Sequence, residues 1–128
     1  MSIANTLVLS CIDFRIVDTV RDFMDARGYN NKYNITTLPG ASLGFNHICN
    51  WRNTFLDIID ISIRIQNISQ IVIVDHMDCR YYQSVYSPES KDTHIHNFQE
   101  FKKYINSIYP NLSLIFILIN HDNLEEFR

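Results

Sequence analysis

Apolar residues in this chain follow two patterns, short continuous runs and longer stretches with helical spacing. Short runs bounded by polar residues indicate buried strands, and helical spacing indicates a helix with one apolar face. The short runs predict four strands, at about 6–11, 33–38, 71–74 and 112–119. Helical spacing predicts helices at about 16–27, 50–66 and 98–108, with Gly28 and Pro110 as stop signals.

Strands and helices that alternate in this way predict the α/β class. Because parallel strands are joined by right-handed crossovers, we expect a mostly parallel four-stranded sheet with helices on both faces. The length of 128 residues fits a single domain, 1–128, with one core. The least regular segment, 81–93, is expected to be a surface loop or a mobile flap.

Composition and charge exclude several kinds of partner. The net charge of -3 gives no basic surface, and Lys102 and Lys103 form too short a basic run to bind nucleic acid. The apolar run 112–119 is too short to cross a bilayer, and no basic residue precedes Arg15 as an export signal would require. We therefore expect a soluble, cytoplasmic protein that binds neither nucleic acid nor a membrane.

The three cysteines indicate reduced thiols or metal ligands, because an odd number without an export signal does not suit a disulfide framework. Cys11 follows the first predicted strand, and His76 and Cys79 follow the third. Ligands bind beyond the carboxyl ends of strands in an open parallel sheet, so these side chains are natural partners. Zinc prefers thiolate and imidazole, and three such donors leave one tetrahedral position open. The spacing alone is equally consistent with residues that are simply buried at the ends of strands and bind no metal.

Two motifs strengthen the zinc hypothesis. Residues 11–15 read Cys-Ile-Asp-Phe-Arg, and residues 76–79 read His-Met-Asp-Cys. They match, in order, the Cys-x-Asp-x-Arg and His-x-x-Cys motifs of the β-class carbonic anhydrases, which the chain resembles from about residue 6 to residue 120. The resemblance implies that family's fold, a Zn²⁺ cofactor, and the reaction of carbon dioxide with water, by a metal-bound hydroxide, to give bicarbonate and a proton.

The resemblance also implies a role for each residue of the two motifs. Cys11, His76 and Cys79 would be the zinc ligands, and Asp13 and Arg15 would be the catalytic dyad. In that arrangement Asp13 accepts a hydrogen bond from the hydroxide, and Arg15 holds Asp13 by a forked pair. Some members of the family place the aspartate itself on the zinc. The sequence leaves both arrangements open, together with an ordinary helix cap and surface ion pair.

The chain departs from the family's pattern at two motifs. Arg80 stands where the family usually has glycine after its second zinc cysteine, and Pro39-Gly40-Ala41 stands where the family commonly has Ala-Gly-Asn. Gly40 and Ala41 are predicted to line the substrate pocket, and these changes leave the substrate preference open. We expect neither the family's N-terminal helices nor its final edge strand, so a homodimer follows from the resemblance only.

Three other functions stay open from the sequence. The same site could hydrolyse carbonyl sulfide or carbon disulfide, which are also linear and electrophilic. Zinc could instead only stabilise the strand ends of a non-catalytic interaction domain. Cys11 and Cys79 could also form a thiol redox sensor that needs no metal.

Four further residues have suitable chemistry but a commoner structural interpretation. His47 and Cys49 form a His-x-Cys pair before the second predicted helix, where local packing is the usual role. His94 and His96 could relay protons, because histidine exchanges protons near neutral pH. Exposed histidines at the start of a helix are the commoner case.

Overall fold

A computed structural model describes residues 5–128 of the chain. The described part contains five strands, which are β1 (Thr6–Ser10), β2 (Tyr33–Thr37), β3 (Gln70–His76), β4 (Ser113–Asn120) and β5 (Asn123–Phe127). It contains five α-helices, which are α1 (Val17–Ala26), α2 (Ser42–His47), α3 (Cys49–Gln66), α4 (Arg80–Val85) and α5 (Lys91–Ile108), and a 3₁₀ turn at Phe14–Ile16 precedes α1. None of the helices in residues 5–128 is both long and apolar enough to cross a membrane.

The strands form one sheet in the order β2-β1-β3-β4-β5. The first four strands are parallel to their neighbours, and β5 is antiparallel to β4. The predicted α/β class and mostly parallel sheet are therefore confirmed. The predicted count of four strands is too low by one.

The strand that the sequence reading missed, β5, is an edge strand with mostly exposed residues. Asn120 pairs with Asn123, so only two residues connect β4 to β5, and His121 takes a positive φ of 58° there. Ion pairs hold the strand from both sides, because Glu126 pairs with Arg27 and Glu125 with Lys91. The presence of β5 shows that the expectation of no final edge strand is wrong. The sequence did not reveal this strand because a short segment with two glutamates lacks the apolar run of a buried strand.

Both faces of the sheet are covered by helices, as the sequence predicts. Successive strand residues point to opposite faces, so Leu7 and Leu9 belong to one core and Val8 belongs to the other. The first core lies against α2, α3 and α5 and includes Phe45, Phe55, Ile59, Phe98, Phe101 and Ile105. The second core packs against α1 and includes Ile16, Val20 and Met24, next to Cys11 and Cys79.

Two helices lie where the sequence predicts irregular structure. α2 follows the loop at 39–41, and α4 occupies part of the segment 81–93; each has six residues, which is too short for a helical period to show. α5 begins at Lys91 rather than near residue 98, and a capping box between Ser90 and Thr93 marks its start. Its first turns bury the polar residues His94 and Asn97, so no apolar stripe reveals them.

The register of β1 and β3 determines where the candidate site lies. The two strands are parallel neighbours, and Ser10 is opposite Val74. Cys11 therefore leaves β1 at the same edge of the sheet at which β3 ends with His76. This edge is the carboxyl end of the parallel strands, as the sequence predicts.

Candidate metal centre

The side chains of Cys11, His76 and Cys79 converge at this edge of the sheet. Their candidate ligand atoms all lie within 4.8 Å of one another, and the two sulfur atoms are 3.9 Å apart. All three residues are buried. Within residues 5–128 this is the one group of three or more histidine, cysteine or acidic residues with that geometry. The structure thus brings together the three residues of the two motifs that the sequence predicts as zinc ligands.

His76 presents one unpaired nitrogen to the site. Its Nδ1 atom is 2.8 Å from the carbonyl oxygen of Met77. A carbonyl can only accept, so Nδ1 carries a hydrogen, and in the neutral ring the Nε2 atom has a free lone pair. Nε2 is buried and has no hydrogen-bond partner, although nearly all buried polar atoms have one. A metal ion is a partner that this lone pair and the adjacent thiols fit.

The contact between the two thiols polarises them. Hydrogen bonding from Cys79 lowers the pKa of Cys11 to about 4, and the same contact raises the pKa of Cys79. The amide of Gly40 also donates to the Cys11 sulfur, at 3.3 Å. Burial lowers the pKa of His76, but the Cys11 thiolate beside the ring outweighs that effect and raises it. The contact therefore favours the thiolate form of Cys11, which is the form that binds metals.

Gly40 and Ala41 form the turn behind the Cys11 sulfur. Gly40 has a φ of 73°, and a Cβ atom at this position would lie 2.8 Å from the Tyr81 ring. The turn therefore requires glycine, and its amide supports a candidate ligand. Ala41 also has a positive φ, 49°, and is completely buried. Their predicted contact with a substrate stays a prediction.

Asp13 and Arg15 form a forked ion pair beside the three donor atoms. The Arg15 Nε atom is 3.1 Å from each carboxylate oxygen of Asp13, and Nη2 is 2.6 Å from Oδ2. The Arg15 amide also donates to Asp13, which therefore caps the 3₁₀ turn as well. Hydrogen bonds from Arg15 lower the pKa of Asp13 to about 2. The Oδ2 atom of Asp13 lies 3.6 Å from Nε2 of His76.

Asp78 is a second carboxylate partner of Arg15 that the sequence reading missed. Arg15 Nη1 is 3.1 Å from the Asp78 carboxylate, and Nη2 is 2.9 Å from the Asp78 carbonyl oxygen. Asp78 has a φ of 62°, which makes the turn between His76 and Cys79 tight. Asp78 lies inside the His-x-x-Cys motif, and this position in the sequence was a signal that its carboxylate would be near the site.

A cavity of about 480 Å³ opens beside the two thiols. Apolar groups form much of its wall, and Phe14 stands at its mouth with 85% of its surface exposed. Arg80 also lines it, where the motif predicts glycine. The residues around the cavity are Cys11, Ile12, Asp13, Phe14, Arg15, Pro39, Cys79, Arg80 and Tyr81.

A buried cluster of ionisable groups lies next to the thiols. The His94 ring is 2.8 Å from the Asp75 carboxylate at Nδ1 and 2.6 Å from the Glu89 carboxylate at Nε2. Asp75 also accepts from the hydroxyls of Ser42 and Tyr82, at 2.7 and 2.6 Å. Burial lowers the pKa of His94, but the two carboxylates outweigh that effect and raise it. Each ring nitrogen faces a carboxylate oxygen, and this geometry suits an imidazolium that donates to both carboxylates.

The other histidines and the third cysteine lie outside the group of three donors. His94 is completely buried, so the expectation that it is exposed at the start of a helix is wrong. His96, His47 and Cys49 are exposed. Within residues 5–128, none of these four residues belongs to a candidate metal group.

The comparisons with known proteins agree with this architecture. The crystal structure of the β-carbonic anhydrase CafA of the fungal pathogen Aspergillus fumigatus matches 97% of this chain and 75% of its own chain, with a TM-score of 0.58. The sequence identity is 12%, so this likeness shows the fold alone. The fold class is therefore that of a β-carbonic anhydrase.

The family follows from the sequence comparisons. The family described as "Putative carbonic anhydrase" matches residues 1–126, and the chain belongs to this family as a divergent, β-carbonic-anhydrase-like member. An uncharacterized protein of Rickettsia bellii (strain RML369-C) is 31% identical over 96% of this chain and 80% of its own length. An uncharacterized protein of Rickettsia conorii (strain ATCC VR-613 / Malish 7) is 30% identical over 96% of this chain and 71% of its own.

Proposed function

We propose that this protein is a zinc-dependent carbonic anhydrase that hydrates carbon dioxide to bicarbonate. Cys11, His76 and Cys79 hold the zinc ion, and Asp13 and Arg15 are the catalytic dyad. One observation carries the proposal: three donor atoms meet within 4.8 Å beside a paired carboxylate, and the His76 nitrogen among them is buried without a partner. The family and the fold support it.

The donor set fits a catalytic zinc ion. Two sulfurs and one imidazole nitrogen are the ligands of known catalytic zinc sites, and a three-residue set leaves a fourth position for a small molecule. Cys11 and Cys79 would bind zinc as thiolates, and the contact that lowers the pKa of Cys11 favours that form for Cys11. When bound, zinc supplies a positive charge that lets water ionise in the neutral pH range, as in carbonic anhydrases generally.

Asp13 orients the reacting water. Because the pKa of Asp13 is about 2, the carboxylate stays ionised at all physiological pH values and can only accept hydrogen bonds. A water that donates one hydrogen to Asp13 has its lone pair directed away from the carboxylate, toward the cavity. Arg15 keeps the carboxylate in place and balances its charge. This positioning is the contribution that the protein makes to the attack on carbon dioxide.

The cavity suits a small uncharged substrate. Its walls include Ile12, Phe14, Pro39 and Tyr81, which bind a nonpolar linear molecule better than they bind an anion. Carbon dioxide has these properties, and bicarbonate does not. Carbonyl sulfide and carbon disulfide share them with carbon dioxide, and they are the alternative substrates to assay.

The test combines metal analysis with a rapid-mixing assay of carbon dioxide hydration. We expect about one zinc ion per chain and a hydration rate well above that of buffer, which is lost with a chelator and restored by zinc. Stoichiometric zinc with a rate equal to buffer would reject the proposal in favour of a non-catalytic zinc-stabilised domain. Faster turnover of carbonyl sulfide or carbon disulfide would assign the site to hydrolysis. Purified protein without zinc would favour a redox role for Cys11 and Cys79.

The compartment and assembly state are part of the same proposal. Closely spaced reduced thiols persist in the cytoplasm, which we propose as the compartment. We also propose a homodimer, from the resemblance of the motifs to those of the β-class enzymes. Sedimentation equilibrium of the zinc-loaded protein measures this directly, and a monomer over the whole concentration range would contradict it.

A further inference from the structure

Glu89 connects the buried ionisable cluster to a candidate metal ligand. Its carboxylate accepts a hydrogen bond from the backbone amide of Cys79, with distances of 3.2 and 3.5 Å to its two oxygens. The same carboxylate accepts from the Gln83 side chain and is 2.6 Å from the His94 ring. Glu89 therefore contacts the turn that presents the Cys79 sulfur.

The position of Glu89 is fixed by His94, which is itself held in place. His94 donates to Asp75 through its other nitrogen, and its ring stacks on Tyr82 with 3.8 Å between ring centroids. Asp75 is in turn held by the Ser42 amide and hydroxyl. Only 3% of the Glu89 side chain is exposed, so the carboxylate does not turn into solvent. A buried chain of hydrogen bonds thus runs from β3 through α5 to Cys79.

The Cys79 turn needs such support. Cys79 follows Asp78, which has a positive φ, and precedes α4, so its amide lies outside the regular hydrogen bonding of a helix or strand. Groups that hold a metal ligand from behind fix its orientation and raise metal affinity. A carboxylate on the Cys79 amide fixes the backbone from which the thiolate projects.

We propose that Glu89 is a positioning residue for the Cys79 thiolate, and that His94 acts through Glu89. The inference rests on the proposed role of Cys79 as a zinc ligand. Neither residue touches the substrate cavity or the three donor atoms. Their effect is on the geometry and affinity of the metal centre, and loss of activity follows from that effect.

Three variants separate positioning from simple stabilisation. Glu89→Ala removes the acceptor for the Cys79 amide. Glu89→Gln keeps an amide oxygen for Cys79, and its NH₂ group donates to Nε2 of a neutral His94, so it serves as the conservative rescue. Asn97→Ala is the matched control, because Asn97 is buried one turn along α5 and hydrogen-bonds Tyr86 and the Thr93 carbonyl without reaching Cys79.

The measured quantity is the zinc dissociation constant of the metal-stripped protein, by competition with a chromophoric chelator. We expect Glu89→Ala to bind zinc about 10- to 100-fold more weakly, and Glu89→Gln and Asn97→Ala to stay within about threefold of the unsubstituted protein. The cobalt-substituted Glu89→Ala protein is expected to show shifted thiolate-to-cobalt absorption bands. Equal zinc affinity of Glu89→Ala and Asn97→Ala would overturn the inference.

A second measurement needs no variant and covers the case in which Glu89→Ala does not fold. Amide hydrogen exchange by NMR is expected to show the Cys79 amide protected, because Glu89 holds it. Exchange at the rate of an unstructured peptide would overturn the inference. Failure of the proposed function can be told apart from failure of this inference. If the protein binds zinc but does not hydrate carbon dioxide, the proposed function fails and Glu89 keeps its positioning role. If the unsubstituted protein binds no zinc, both the proposed function and the role of Glu89 are ruled out.

Discussion

The Nε2 atom of His76 lies 3.6 Å from the Oδ2 atom of Asp13, so an unpaired lone pair and a carboxylate face the same small volume. Arg15 contacts both oxygens of that carboxylate and balances its charge. A small molecule that contacts the two thiols and the His76 ring is therefore also within reach of the Asp13 carboxylate.

The first prediction concerns Asp13→Asn. An amide donates as well as accepts and lacks the charge that pairs with Arg15, so the reacting water loses its fixed direction. We expect kcat/KM for carbon dioxide hydration to fall by about 100-fold, with the zinc content unchanged. Rapid-mixing assays measure this effect. Asp18→Asn, on the exposed face of α1, is the control and should match the unsubstituted protein.

The second prediction compares two cysteines. Cys79→Ser replaces a candidate ligand by a hydroxyl that is a poor zinc donor, whereas Cys49→Ser changes an exposed thiol outside the site. After dialysis against a chelator, we expect the Cys79 variant to have lost its zinc and the Cys49 variant to keep it. Elemental analysis of both proteins checks this. Equal retention would show that Cys79 is not a ligand.

The third prediction sets a limit on the role of Asp78. Its side chain is 65% exposed, and Arg15 keeps its contacts with Asp13 and with the Asp78 carbonyl when the carboxylate is removed. An exposed ion pair contributes little, because solvent screens both charges. Asp78→Asn should therefore lower kcat/KM by less than about fivefold. A loss as large as that of Asp13→Asn would place Asp78 itself in the dyad.

The sequence predicts those parts of the molecule that local patterns encode. β1 and β3 are continuous apolar runs, and the residues that follow each run meet because the strands are parallel neighbours. The pairing of Asp13 with Arg15 is similarly local, since only Phe14 separates the two residues at the start of the 3₁₀ turn. The two motifs were therefore sufficient to locate the candidate site.

The remaining features depend on long-range packing that no local pattern reveals. His94 and Asp75 are 19 positions apart, one in α5 and the other in β3. A histidine at a helix start is normally exposed, and the carboxylates of Asp75 and Glu89 make its burial favourable here. The β5 edge strand similarly depends on Arg27 and Lys91 from two helices. Asp75, which directly follows the apolar run 71–74 inside β3, was the signal that could have indicated a buried partner.

The fourth prediction tests the stability of the buried cluster. The Tyr82 hydroxyl is 2.6 Å from the Asp75 carboxylate and 3.0 Å from the Ser42 hydroxyl. Tyr82→Phe leaves a buried carboxylate with one donor fewer, which should lower the free energy of unfolding by about 1.5–3 kcal/mol. Tyr104→Phe, on the outer face of α5, should change it by less than about 0.5 kcal/mol. Urea unfolding of the two variants measures the difference, and equal stability would contradict the structure of the cluster.

The fifth prediction is a pH dependence that belongs to His94. Burial lowers the pKa of His94, but Asp75 from β3 and Glu89 from the segment before α5 outweigh it, so the folded pKa is raised. Tyr82 from α4 stacks on the ring and is uncharged, because burial raises its own pKa. In the unfolded chain the pKa of histidine is about 6.5. A raised folded pKa means that the proton stabilises the folded protein below about pH 6.5, and that this contribution is lost as the pH rises through the folded pKa.

The measurement is the difference in unfolding free energy between the unsubstituted protein and His94→Gln, both metal-free, from about pH 6 to about pH 9. Taking the difference removes the titration of Cys11 and Cys79, because both proteins contain them. We expect the advantage of the histidine to be largest at the acidic end and to shrink as the pH rises. His96→Gln is the control, because His96 is exposed, and it should show no such trend. A difference that stays constant with pH would mean that His94 carries no proton between its two carboxylates.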